Sequence, residues 1–296
     1  MTHIMRLVSG LVAMLLASAA ATAHTTVPIE GEPSRRELAR YAMQKHPVRA
    51  IPRKFVFPAN ALQGSIFGID VSHHQGNINW DKIAGQGVRF AYVKATQGGG
   101  YHDGNFAVNW SALNRLRVSE KPVLRGAYHF MSAVDTPENQ AANHIATVGT
   151  LGAADLPPCL DIEWDFLRKD NAFVLNAKGE KIDQWAALSS AEIVRRAKVW
   201  LLATEKATGK KPIIYTNALW WRERVGDDLA LAGYKLWIAD YPNASLAQDT
   251  PTVPPKFDWV LWQLTDLGTV GNAGFEQDID TNMLAPGNHD LSSWFK

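Results

Sequence analysis

Cysteine is almost absent. Cys159 is the only one in 296 residues, so no intrachain disulfide can form and stability has to come from a packed core. An excess of charge of either sign is also missing. Lysine plus arginine number 30 against 29 acidic residues, a net charge of +1, which gives no electrostatic reason to expect a nucleic-acid partner. Beyond the first two dozen residues no apolar run is long enough to span a bilayer. Internal repeats and low-complexity tracts are lacking, which excludes solenoids and arrays. The histidines His73, His74, His102 and His129 match no zinc spacing, so neither a metal nor a cofactor is expected.

The one long apolar run lies at the N-terminus. Arg6 supplies positive charge, Leu7 to Ala21 form the apolar stretch, and Ala21-Thr22-Ala23 makes a small-x-small end to it. Residues 1–23 are therefore expected to be a signal peptide. The protein would be exported, to the periplasm or the medium, without stable membrane insertion after cleavage. Residues 24–62 are rich in Pro, Arg and Glu, with at most a short helix around Arg35 to Gln44, and are expected to form a leader on the surface of a domain spanning 63–296.

Within that domain, short β-branched or aromatic runs alternate with helical periodicities, the signature of an α/β fold. Strands are expected at Phe67 to Val71, Phe90 to Lys94, Val123 to His129, Cys159 to Glu163, Ile213 to Thr216, Leu236 to Ala239, Trp259 to Gln263 and Ile279 to Asn282. About eight strands suit a closed barrel. Helical patterns cover Trp80 to Gly85, Phe106 to Leu116, Pro137 to Val148 and Ser190 to Thr208, while the last strands are separated by loops. The expected architecture is a modified TIM-type (β/α) barrel whose last strands lack regular helices. A polar stretch from Asp165 to Ser189, with turn chemistry at Asn176 to Glu180, suits a hairpin or an extended loop.

Strand ends in such a barrel converge on one mouth, and acidic residues mark several of them: Asp70, Asp161 with Glu163, and Asp280. The period-2 spacing of Asp161-Ile162-Glu163 points both carboxylates to one face. Two neighbouring carboxylates cannot both ionise cheaply, so one keeps its proton to higher pH, as a general acid requires. Glu163, the longer and further out, is the better candidate. Tyr128, Tyr215, Trp237, Tyr241 and Trp262 fall at or near strand ends, where aromatic faces could stack on sugar rings. Cys159, inside an apolar run, is expected to be an inert core residue.

These motifs, in order, resemble glycoside hydrolase family 25, the lysozymes with a modified β/α barrel. Phe67-Gly68-Ile69-Asp70-Val71-Ser72 with Gln75-Gly76 resembles the opening strand, and Phe90 to Thr96 the second. Gly126-Ala127-Tyr128-His129-Phe130 resembles the third, Asp161-Ile162-Glu163 the fourth and Pro212-Ile213-Ile214-Tyr215-Thr216 the fifth. Leu236-Trp237-Ile238-Ala239 with Tyr241, then Trp262-Gln263, then Asp280-Thr281-Asn282 resemble the rest. His74 and Gln97 depart from the pattern, which usually has an aromatic residue and a glutamate at those places.

The resemblance implies catalytic roles: Glu163 as acid/base, Asp161 as its partner, and Asp70 and Asp280 as further acids of the cleft. It also implies a substrate, the β-1,4 bond between N-acetylmuramic acid and N-acetylglucosamine in peptidoglycan. Asp161, two residues from Glu163 on one strand, is badly placed to attack the opposite face of the sugar, so the substrate's 2-acetamido oxygen is the expected nucleophile, with retention; attack by Asp70 or Asp280, or by a water one of them activates, is the alternative. A monomer is expected. A non-catalytic wall-binding protein and a chitinase-like hydrolase are the alternatives.

Overall fold

A computed structural model describes residues 37, 38, 41, 54–57, 59–170, 172–241, 246, 249–270 and 278–286. The expected signal peptide lies outside the described residues, as does most of the leader. The strands, in chain order, are β1 (Phe55–Phe57), β2 (Phe67–Val71), β3 (Phe90–Gln97), β4 (Tyr101–His102), β5 (Leu124–Phe130), β6 (Cys159–Asp161), β7 (Arg168–Lys169), β8 (Ala172–Phe173), β9 (Ile213–Asn217), β10 (Leu236–Ala239), β11 (Trp259–Val270) and β12 (Ile279–Leu284). The helices are α1 (Trp80–Ala84), α2 (Phe106–Leu116), α3 (Pro137–Val148), α4 (Ser190–Thr208) and α5 (Ala218–Arg224).

Strands β2, β3, β5, β6, β9, β10, β11 and β12 close into a mixed barrel, because β12 pairs with both β11 and β2. The pairs from β2 round to β11 are parallel, whereas β12 runs antiparallel to both neighbours. No described helix intervenes between β10, β11 and β12, so the second half of the barrel departs from strict β/α repetition, as the sequence suggested.

The pleat sorts the side chains. On β3, Ala91, Val93 and Ala95 face outward onto Ile83 of α1 and Leu113 of α2, while Phe90 and Tyr92 join Tyr128, Cys159, Tyr215 and Trp237 in an inner cluster. Large inner rings sit over glycines of the next strand. A Cβ on Gly68 would collide with the Phe90 ring and one on Gly126 with the Tyr92 ring. A third cluster packs α4 and α5 on the other side of the barrel, with Trp200, Trp220 and Trp221 fully buried. Trp220-Trp221 is thus core, with no part in the rim.

The helices are fixed by their caps. Thr136 caps α3 through Asn139 N with Pro137 in the first turn, and Ser189 caps α4 through Glu192 N. Helix α4 ends at Gly209, whose φ of 69° is left-handed.

Two features lie outside the sequence expectation. Strand β1 falls in the presumed leader and pairs in parallel with Gly268 to Val270 of β11. Leu38 is fully buried, and Tyr41 meets Trp164 and Phe166 edge-on at 5.5 and 4.7 Å. Parts of residues 24–62 are therefore integrated into the domain. The polar stretch after Glu163 forms the β7–β8 hairpin and a tight turn in which Asn176 Oδ1 accepts from Lys178 N and Glu180 N.

Candidate active site

Asp161 ends β6 and Glu163 follows two residues later; both are buried, at 0 and 3% exposure. The pleat continues past the strand. Leu160 and Ile162 pack outward against Ile193 and Trp200 of α4, whereas Cys159 belongs to the inner cluster, so Asp161 and Glu163 project to the barrel interior and mouth. Buried Cys159 lies beneath them as core.

Asp70, on β2, sits at the same end. Because β12 runs antiparallel, its first residues rather than its last reach the mouth, and Asp280 is directly opposite Asp70 in register. Asp70 Oδ2 accepts hydrogen bonds from Gln263 Nε2 at 3.1 Å and Asn282 Nδ2 at 2.7 Å. Each amide is itself held from the barrel floor. Gln263 Oε1 accepts from the Tyr215 hydroxyl at 3.0 Å, and Asn282 Oδ1 accepts from the Trp237 indole at 2.8 Å. A carboxylate clamped by two donors has a fixed orientation.

Tyr241, just beyond β10, ties the acids together. Its buried hydroxyl has no hydrogen-bond partner among the described residues. Burial, and then the charges of Asp266, Asp280, Glu163 and Asp70, push the phenol well above its ordinary range. The hydroxyl therefore stays protonated, a ready donor set among four carboxylates. Asp266, 4% exposed, was not singled out in the sequence. It sits where the β11–β12 pairing slips between Thr265 and Gly268, and such irregularities re-aim side chains at barrel rims.

Of the aromatic candidates, Tyr128, Tyr215 and Trp237 meet in the inner cluster, with Trp237 packed 4.9 Å from both Tyr92 and Tyr215. Trp262 is not brought together with them. It points outward into another cluster and donates its indole N–H to the Asp240 carbonyl, bracing β10 against β11.

Sequence reasoning also passed over Gln263, Asn282 and Lys94. All three stand in motifs of the family pattern, but the roles of Gln263 and Asn282 depend on which strands become neighbours. Lys94 is 1% exposed on β3, and its Nζ donates to Gln97 Oε1 at 2.7 Å. A lysine inside the apolar run Phe90 to Ala95 was the signal available in the sequence. Among the described residues no group of three or more His, Cys, Asp or Glu could hold a metal ion, and no helix is long and apolar enough to cross a membrane.

Glycoside hydrolysis uses carboxylates gathered at one site, and this barrel gathers them over an aromatic floor at one mouth. The model of glycosyl hydrolases family 25 matches residues 69–273, and the chain belongs to that family. It is 31% identical over 220 residues to "Lysozyme M1" of Streptomyces globisporus, covering 73% of this chain and 66% of that protein, just under two thirds of its length. It is 25% identical to the "N,O-diacetylmuramidase" of Chalaropsis, covering 71% of this chain and 92% of that protein. Among solved structures it is similar to the bacterial lysozyme of Streptomyces coelicolor, with a TM-score of 0.65 and 28% identity over 79% of this chain and 98% of that one.

Proposed function

We propose that the protein is a muramidase that hydrolyses the β-1,4 bond between N-acetylmuramic acid and N-acetylglucosamine in peptidoglycan. Besides family membership, one arrangement supports this reading: Asp161 and Glu163 continue the inward face of β6, and Asp280 lies opposite Asp70, whose carboxylate is bonded by Gln263 and Asn282. Glu163 protonates the glycosidic oxygen. Asp161, its neighbour on the same inward face, remains ionised and stabilises positive charge at the anomeric carbon.

Asp161 and Glu163 rise from one strand end, so Asp161 is badly placed to attack the opposite face of the sugar. The substrate's own 2-acetamido oxygen is the better nucleophile, and Asp161 orients it. That route retains configuration. Tyr128, Tyr215, Trp237 and Tyr241 supply ring faces and hydroxyls to the sugars. Action on a wall polymer also fits the expected export of the chain through residues 1–23.

The test is digestion of peptidoglycan by the mature chain, with reduction of the fragments and mass spectrometry. Reduced N-acetylmuramic acid ends support the proposed bond, and N-acetylglucosamine ends overturn it. Binding to the wall with no fragments favours a non-catalytic wall-binding protein, and turnover of chitin in preference to peptidoglycan favours a chitinase-like enzyme. Proton NMR of the first-formed anomer checks retention.

A further inference from the structure

Lys94 plays no part in the chemistry above, yet it is buried beside the acids. The strand registers place Gln97 of β3 against Phe130 of β5, and Phe130 against Asp161 of β6, so one row crosses three strands. Lys94 Nζ lies 5.1 Å from the Phe130 ring centre and 5.6 Å from that of Tyr101. The ammonium is therefore held over the row that ends in Asp161.

Its surroundings can be named element by element. The charges that act on it are those of Asp161, Glu163 and Asp165 on β6 and the segment beyond and of Asp103 after β4; the Tyr101 ring of β4 lies beside it, and His129 of β5 points the other way, stacked on Trp200. On β2 the nearest acid, Asp70, is in register with Tyr92 rather than with Lys94. Glu163 in turn acts on Tyr241 together with Asp266, Asp280 and Asp70. Asp103 is already bonded by His73 Nδ1 at 2.9 Å, and Asp165 by Ser132 Oγ and Ala133 N at 3.1 and 2.8 Å. Burial pulls Lys94 down to about 7, opposed first by Asp161, then Asp103, Glu163 and Asp165. Gln97, its hydrogen-bond partner, is a neutral amide and cancels none of the positive charge.

Building on the muramidase reading, we propose that Lys94 is a positioning residue: its buried ammonium holds Asp161 ionised, so the proton shared by the Asp161 and Glu163 carboxyls resides on Glu163. Lys94 transfers no proton. Glu163 alone gives its proton to the glycosidic oxygen, and the lysine decides where that proton waits. A carboxylate in place of the neutral Gln97 amide would pair with the ammonium and weaken its hold on Asp161.

The test uses the mature full-length chain. The pH dependence of kcat/KM on peptidoglycan is compared for wild type and Gln97→Glu, a nearly isosteric change. In parallel, 13C-lysine NMR follows the titration of Lys94 in wild type, Gln97→Glu and Asp161→Asn. The acid limb of Gln97→Glu is expected to move up by about half a pH unit or more, with KM within about twofold. The Lys94 midpoint is expected to rise in Gln97→Glu and fall in Asp161→Asn. An acid limb that stays put while the Lys94 midpoint rises in Gln97→Glu overturns the proposal. If wild type releases no fragments, the muramidase reading has failed by itself, and the Asp161→Asn titration still decides: a fall supports the coupling and an unchanged midpoint contradicts it.

Discussion

Asp70 and Asp280 stand directly opposite each other across the antiparallel β2–β12 pair. Like charges in that relation are destabilising unless something compensates them. Here Asn282 Nδ2 and Gln263 Nε2 both donate to Asp70 Oδ2. Asn282→Ala removes one donor to Asp70 and the acceptor of the Trp237 indole N–H, leaving buried groups unsatisfied. Stability is expected to fall by about 1–3 kcal/mol and kcat/KM by at least about tenfold. Urea unfolding and turnover on peptidoglycan check both.

Tyr241 offers the opposite combination. Its buried hydroxyl has no hydrogen-bond partner among the described residues, so it adds no hydrogen bond to the fold there. Tyr241→Phe is expected to unfold at the same temperature or higher, while losing about tenfold or more in kcat/KM. Thermal melts beside kinetics test this, and a variant that is less stable but fully active contradicts it.

The barrel interior depends on glycine under aromatic rings. Gly126→Ala puts a Cβ into the Tyr92 ring, which is fully buried and whose hydroxyl donates to the Pro157 carbonyl at 3.0 Å. A rigid inner layer cannot shift cheaply, so a loss of about 1–3 kcal/mol is expected by denaturant titration.

Much of this was legible in the sequence. Helical periodicity placed Phe106–Leu116, Pro137–Val148 and Ser190–Thr208, and short β-branched or aromatic runs placed the strands Phe67–Val71 and Leu236–Ala239. The Asp161-Ile162-Glu163 spacing gave the shared inward face because period 2 is local. What stayed hidden depends on pairing. Strand β1 is three residues long and exists through β11, α5 is too short to show a period, and Asp266 reaches the rim only because the β11–β12 register slips. Trp262 could not be told from an inward residue, since at a strand end the sequence does not say which parity faces the barrel.

Acid stability should report the buried histidines. Burial holds His144 down to about 3, against an ordinary value of 6.5, and it packs beside Trp200 with Nδ1 3.3 Å from Thr96 Oγ1. The unfolded chain therefore binds a proton below about 6.5 that the folded chain takes up only near 3, so stability falls as pH drops through that window. His144→Gln is expected to reduce the slope of unfolding free energy by up to about 1.4 kcal/mol per pH unit between those limits. Denaturant melts from pH 4 to 7 measure it.

The central claim is that Glu163 is the proton donor of a muramidase. The most direct measurement compares wild type with Glu163→Gln on purified peptidoglycan, counting reduced N-acetylmuramic acid ends by mass spectrometry. The expected result is release by wild type and a loss of at least about a thousandfold in the variant, whose fold and wall binding are retained. A Glu163→Gln enzyme that releases those ends at close to the wild-type rate would contradict the account.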